Sequence, residues 1–335
     1  VSAGIQYKMN PKLKWDNVVN FLSYTQDEEL NQKSTMADYN NSLEQHALMG
    51  NMTGKNDILN VQSVMAYNKS DKFTFQSGAK VSSIAINSNA LYNSFEPGGW
   101  IQDKELSSGF KYQENIWAGF LQAAQKWSER FSTEAGLRLE HTNTEAGYVS
   151  ESRDSTLVRH YNQLFPSIAI NYILTEGHTI SFQYGRRIVR PNYRDLNPFT
   201  EVNDFYLQER GNTALRPELL NNLEVLWLLK SKHMLSMFYT VRQNPITKSY
   251  LTEPDSGITS VMPLNLKQSY TTGFKASINT LKPTKWWTSY FNGSLTYKEF
   301  YWQESGNHYK NSLLTPSLQL NNQFELLRNW AFEIT

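Results

Sequence analysis

The chain has 335 residues, a formal net charge of +1 and no cysteine. Near-neutral charge removes the electrostatic case for a nucleic-acid partner, and the missing thiols exclude disulfide frameworks, cysteine-ligated metals and thiol nucleophiles. Aromatics are abundant at 13%, yet mean hydropathy is −0.56; no apolar run approaches the roughly 18 residues of a spanning helix, so a helical membrane bundle is excluded, whereas a barrel in which alternate residues face lipid is not.

The chain opens at Val1 with no initiating Met or signal peptide, and closes on Ala331–Thr335 in the manner of an unfinished strand. It is therefore expected to be part of a longer or processed protein. Between these ends the dominant pattern has period two, the signature of strands with two unlike faces. Phe131, Thr133, Ala135, Leu137 and Leu139 alternate with Ser132, Glu134, Gly136, Arg138 and Glu140. The pattern recurs in Gln163–Tyr172, His178–Gly185 and Gln268–Thr280.

Marking every such run predicts about fourteen strands, at roughly 1–9, 12–25, 56–68, 72–88, 111–127, 130–147, 160–174, 177–190, 217–231, 232–248, 260–281, 285–302, 309–325 and 328–335. These reach about ten residues or more, enough to cross a bilayer at a steep tilt. Soluble-protein strands average about 5–6. Pro166 and Pro316 fall inside two of them, where a lost ladder bond predicts a bulge or a strand end.

The connectors alternate in length. Asn10-Pro11, Lys69–Asp71, Ser128-Glu129, Thr175–Gly177, Ser231-Lys232, Lys282–Thr284 and Leu327-Arg328 are tight and turn-forming. The intervening ones are mostly long and polar: Asp27–Asn56, Asn89–Phe110 and Pro191–Arg216. In a meander, alternate connectors lie at one end, so this predicts short periplasmic turns and long extracellular loops. Aromatics gather beside the tight turns, among them Tyr7, Trp15, Tyr67, Trp127, Tyr172 and Trp286. Amphipathic rings belong at lipid headgroup level. The fold expected is an all-β, antiparallel transmembrane β-barrel occupying residues 1–335.

Four motifs carry a resemblance: Gly136-Leu-Arg-Leu-Glu-His-Thr142, Leu164-Phe-Pro-Ser167, Tyr184-Gly-Arg-Arg-Ile-Val-Arg-Pro-Asn-Tyr-Arg-Asp-Leu-Asn-Pro-Phe199 and Gly211-Asn-Thr-Ala-Leu-Arg-Pro-Glu218. Together the chain resembles the barrel of Bacteroidetes TonB-dependent receptors, in the outer-membrane β-barrel protein family. One departure is Thr213, where the family pattern has proline. The resemblance implies a bacterial outer-membrane location and a barrel of about 22 strands, of which about fourteen are present. It implies a plug domain from the same precursor but outside this chain, and a TonB complex engaged through a missing N-terminal region. The function implied is uptake of a small nutrient solute. A non-transporting surface barrel, serving adhesion or assembly, is the alternative.

No catalytic constellation is visible. The six histidines are scattered, with no HExxH or paired metal-ligand spacing, and no nucleophile elbow or phosphate loop occurs. The expectation is a non-enzyme with no cofactor and no metal, whose partners are membrane lipid, plug, TonB complex and solute. The candidate site residues are Arg186, Arg187, Arg190, Pro191, Tyr193, Leu196, Asn197, Pro198, Phe199, Gly211, Asn212, Pro217 and Glu218. The three arginines are open to two readings. They line the lumen or mouth and attract an anionic solute, or they pair with Glu218, Glu201 or plug carboxylates and hold the loop. Asn197-Pro198 and Arg216-Pro217 supply rigid loop geometry, with Tyr193 and Phe199 packing beneath.

Overall fold

A computed structural model describes residues 1–37, 43–150, 154–202, 206–254, 257–304, 306–327 and 330–334. Fourteen strands hydrogen-bond into one antiparallel sheet. In chain order they begin with β1 (Ser2–Asn10), β2 (Leu13–Ala37), β3 (Leu43–Ser70), β4 (Phe73–Glu96), β5 (Gly99–Lys126), β6 (Phe131–Ser150), β7 (Asp154–Thr175) and β8 (His178–Val189). A connecting segment then carries α1 (Tyr193–Leu196), β9 (Thr200–Val202) and β10 (Leu207–Arg210). The sheet resumes with β11 (Glu218–Leu229) and β12 (His233–Gln243). A detour through β13 (Ile246–Thr252) and β14 (Thr259–Asn265) precedes β15 (Gln268–Thr284), β16 (Trp287–Glu304), β17 (Asn307–Leu327) and β18 (Trp330–Ile334). Each strand of the large sheet pairs with its predecessor and successor in that sheet, and its edges are β1 and β18.

The register assigns the two faces. Leu121↔Leu137 and Leu139↔Leu164 are Cα partners, as are Phe182↔Val225, Met237↔Phe274 and Leu295↔Pro316. Partners share a face because side chains alternate. The leucines at 121, 137, 139, 164 and 295 are all exposed, forming a broad apolar face. The opposite face is polar: Gln122↔Gly136, Ala118↔Glu140 and Glu140↔Gln163 run across it.

The tight turns lie where expected, with two exceptions: Lys282–Thr284 belongs to β15, whose irregular ladder carries the turn on to Lys285-Trp286, and Arg328 is outside the described residues. Lys230 and Ser231 both have positive φ (50° and 53°), and Lys232 N–H bonds Leu229 O at 3.0 Å. This is the primed hairpin geometry whose twist matches the flanking strands. Beside the turns, on the apolar face, Trp15 Nε1 donates to Ser63 Oγ (2.8 Å) and Trp127 Nε1 to Thr133 Oγ1 (2.8 Å), each indole keeping its polar edge satisfied.

Three expectations need correction. The long connectors Asp27–Asn56 and Asn89–Phe110 are mostly strand, and Asn31–Thr53, open in the sequence to a large loop or a hairpin of its own, takes the hairpin form. β2 and β3 continue in register from Leu13↔Tyr67 to Ala37↔Leu43, and β4 and β5 continue to Glu96↔Gly99. At 28 residues, β3 and β5 are about 90 Å long. Only about 9–11 residues cross a bilayer, so most of each strand projects beyond the end opposite the tight turns. Second, the runs 232–248 and 260–281 each break in two. Asn244 adopts φ 52° before Pro245, which ends β12, and β13, β14, β10 and β9 form a separate four-stranded sheet. Third, the 191–216 connector, expected as a long polar loop with rigid geometry at Asn197-Pro198 and Arg216-Pro217, carries α1, β9 and β10 among its described residues.

Pro166 marks a ladder end. It pairs with Leu137 of β6, but the β7–β8 ladder begins only at Ser167↔Gly185. Above it the two strands part. Pro316 sits on β17 above the β18 ladder, which runs from Asn322 to Leu327.

Candidate functional site at the polar mouth

The segment after β8 folds back onto the polar face of the projecting strands. Asn192 caps α1, its Oδ1 accepting from Arg194 N–H at 3.2 Å. Pro198 prevents continuation, and Asn197 N–H bonds the carbonyls of Tyr193 and Arg194. The second motif closes on the first: Gly211 N–H donates to Asn197 O (2.9 Å) and Asn212 N–H to Asp195 O (2.6 Å). A Cβ at position 211 would lie 2.2 Å from Asn197 O and 2.7 Å from Asp195 O, so the two backbones approach this closely only across glycine. Asn212 then joins the segment to the small sheet, its Nδ2 donating to Pro263 O (3.1 Å) while its Oδ1 accepts from Ala214 N–H (2.8 Å).

Apolar anchors fix the segment to the wall. Leu196, Phe199 and Leu215 are buried in one cluster with Ile84, Ile86, Phe110 and Tyr112 of β4 and β5. Phe199 meets Phe110 edge-on at 6.4 Å, and Tyr193 lies 5.6 Å from Tyr112. Tyr92, fully buried, donates its hydroxyl to Thr200 O at 3.1 Å. Burial, reinforced by the negative charges of Glu201 and Glu28, pushes the Tyr92 phenol up to about 12. Tyr193 is raised to about 12 for the same leading reason, with Glu114 adding to it.

The electrostatic anchor is Arg190. Its Nη2 donates to Glu140 Oε2 at 2.7 Å and to Thr142 Oγ1 at 3.3 Å, and its Nε lies 3.5 Å from Glu114 Oε1. That last contact is a charge contact only, since Nε has no hydrogen-bond partner and neither has Glu114 Oε2. Arg138 supplies Glu140 with a second cation at 2.6 Å. The carboxylates expected to meet the three arginines are occupied otherwise. Glu218 accepts from Ile246 N–H (2.7 Å) and pairs with Arg242 (3.1 Å), and Glu201 pairs with Arg194.

Arg186 reaches Gln163 Oε1 (3.2 Å) across the parting of β7 and β8. By register it shares the parity of Asn221 and Tyr184 on the outward face, while Arg187, paired with Leu220, shares the polar face with Gln183 and Glu218. Arg187 is exposed and makes no ion pair among the described residues. Pro191 and Pro217, with Thr213, line a small recess beside Leu196. Thus the two distant motifs meet, Arg190 joins them to the wall, and Arg186 and Arg187 stand apart.

Sequence reading missed Glu114, Tyr92 and Arg242. A detectable signal was present for the first: Glu114 and Glu140 both fall on the polar-face parity, where a carboxylate under a folded loop requires a cation.

Between α1 and the projecting parts of β2 and β3 lies a cavity of about 300 Å³. Its polar wall includes Gln26, Glu28, Asn56, Arg194 and Glu201, over a floor of Phe110 and Phe199. A neighbouring recess of about 230 Å³ holds Glu209 and Lys248, paired at 3.0 Å. Hydrogen-bonding groups of both charges over an aromatic floor suit reversible capture of a polar solute. No group of acidic, histidine or cysteine side chains suited to a metal occurs among the described residues.

The profile of the outer membrane protein beta-barrel family matches residues 8–335. Similar solved structures include the ferric-catecholate import receptor Fiu from K12 E. coli, at 13% identity and TM-score 0.57, covering 99% of this chain and 52% of that one. The siderophore receptor PiuA from Acinetobacter baumannii matches at 11% and 0.60, covering 97% and 52%. The ferric yersiniabactin uptake receptor FyuA from Yersinia pestis matches at 10% and 0.53, covering 99% and 54%. At such identities the likeness is one of fold, and the chain spans about half the length of each. No curated protein sequence matches it.

Proposed function

The chain belongs to the outer membrane protein beta-barrel family, and from that premise we propose that it forms part of the wall and mouth of a TonB-dependent receptor that imports a small polar solute. It resides in the bacterial outer membrane, and in this reading the exposed apolar face meets lipid. The observation that carries the uptake reading is the docked 190–217 segment. It presents a polar cavity on the inner face, above the level of the membrane, where a solute arriving from outside is first met.

A membrane-spanning sheet must close, because hydrocarbon offers no partner to a free edge. In this reading further strands of the same precursor complete a barrel of about 22, wide enough to need a plug, and TonB displaces that plug through a segment outside this chain. The motifs favour a Bacteroidetes source. The role asks for capture and passage, not covalent chemistry. Arg187, exposed on the polar face, steers anionic groups toward the opening.

The test is a deletion strain supplied with limiting iron chelates, oligosaccharides, peptides or vitamins. One class is expected to support growth only when the gene is restored, and only while TonB is present. Arg194→Ala, which opens the cavity wall, is expected to raise the solute concentration needed. Parental growth of the deletion strain on every class overturns uptake and leaves a surface barrel. Growth that persists without TonB overturns the energised half alone.

A further inference from the structure

The outward face of β12, β15, β16 and β17 changes character row by row. Lowest is a row of Cα partners Leu235, Ala276, Gly293 and Leu318. Its two central members lack bulk, and larger side chains around them enclose a groove of about 600 Å³. One row higher stand Met237, Phe274 and Leu295, and above these begins a second hollow of about 600 Å³ lined by tyrosines and charged groups.

The heights fit one leaflet. Tyr297 lies ten residues beyond Trp287 on β16, about the length of a spanning strand segment, so the tyrosines stand at the outer headgroup level. Gly293, the β16 partner of Ala276, is four residues below Tyr297 and six above Trp287. At about 3.3 Å per residue and a tilt near 45°, these are roughly 9 Å and 14 Å along the membrane normal, so the groove lies near the middle of the span. The groove is therefore at mid-bilayer and the tyrosine shelf at its outer surface.

The shelf is organised. Tyr239 and Tyr270 stack at 6.3 Å, and Tyr301 meets Tyr270 edge-on at 5.7 Å. Tyr297 and Tyr301 donate their hydroxyls to Glu299 at 2.7 and 2.8 Å. Lys310 lies 2.5 Å from the same carboxylate and 5.5 Å above the Tyr301 ring. Lys310 thus neutralises Glu299, and Lys267 adds a positive charge with no ion pair among the described residues.

We propose that this surface is a binding site for a phosphorylated glycolipid of the outer leaflet, with one acyl chain in the Ala276–Gly293 groove and its sugar headgroup on the tyrosine shelf. Flat aromatic faces beside a carboxylate and an ammonium suit the apolar faces and hydroxyls of a sugar ring. Lys267 suits its phosphate. A headgroup bearing an ammonium meets Lys310 already seated over Tyr301 and is repelled. The site depends on membrane residence and not on the identity of the imported solute.

The test uses protein isolated from its native outer membrane in mild detergent, with bound lipid identified by native mass spectrometry. About one glycolipid per protein is expected to survive detergent exchange. Ala276→Trp, which fills the groove, should reduce occupancy at least tenfold, and Lys267→Glu, an exposed change that spares the fold, should do so as well. Leu137→Trp, on the lipid face of distant strands, should retain the lipid. Retention unchanged in Lys267→Glu, retention of phospholipid alone, or no retained lipid overturns the assignment. Solute uptake is measured on the same variants, so loss of lipid and loss of transport are read apart.

Discussion

Replacing Arg190 by Met tests how the mouth segment is held. The guanidinium is the partner of two carboxylates, Glu140 at 2.7 Å and Glu114 at 3.5 Å, whose side chains are 8% and 2% exposed. In Arg190→Met, Glu140 keeps Arg138 at 2.6 Å. Glu114 keeps no cation among the described residues. Stranding one buried charge costs about 3–5 kcal/mol. The docked segment bears that cost, because undocking readmits water to Glu114. At about 1.4 kcal/mol per tenfold, the open population rises roughly a hundred- to a few-thousand-fold. Amide hydrogen exchange at Gly211 and Asn212, whose N–H groups bond Asn197 O and Asp195 O, reports it. Adding Glu114→Gln removes the stranded charge and should return most of the protection. Exchange unchanged in Arg190→Met, or as fast in the double variant as in the single, refutes the reasoning.

Other outcomes follow from the same geometry. Gly211→Ala places a Cβ against three backbone carbonyl oxygens within 2.8 Å and should destabilise the segment by about 1–3 kcal/mol, seen as new protease cuts within 191–216. Gly185→Ala, with open space around it, should not. Phe199→Ala empties a buried site against Phe110 and should cost about 3–5 kcal/mol on the same assay. Leu137→Arg puts a charge on the lipid face near mid-span and should cost about 2–4 kcal/mol in unfolding from bilayers, whereas Gln122→Arg on the polar face should cost little; equal costs would remove the two-faced assignment. For Tyr92, burial favours the neutral phenol in the folded state. Its contribution is therefore complete below the ordinary value near 10 and lost as pH rises through about 12. The wild-type minus Tyr92→Phe difference spectrum should show phenolate appearing near pH 12; appearance near 10 would contradict the burial.

The motif chemistry was only partly legible. Gly211 and Asn212 stood out as turn residues, but their partners Asn197 and Asp195 lie across the 198–210 segment, and nothing in spacing discloses that the two halves touch. Of the arginines, Arg190 pairs with Glu140 and lies beside Glu114, carboxylates neither expected nor adjacent in sequence, while Arg187 is exposed on the polar face.

Side-chain alternation is a local property of an extended chain, so the sequence by itself determined the fourteen-strand meander, its tight turns and its apolar and polar faces. Beyond the membrane the outward face no longer meets lipid and the inner face is covered in part by the docked segment, so alternation carries no consistent contrast. The strand extensions through Asp27–Ala37 and Asn89–Glu96 were for that reason invisible and could be recognised only from their ladders. The small sheet, with β10 parallel to β14, and the Arg190–Glu140 pair, 50 positions apart, join segments that become neighbours only after the wall has formed. Burial beneath the folded segment then selects which charges must pair, and that is a decision of tertiary structure alone.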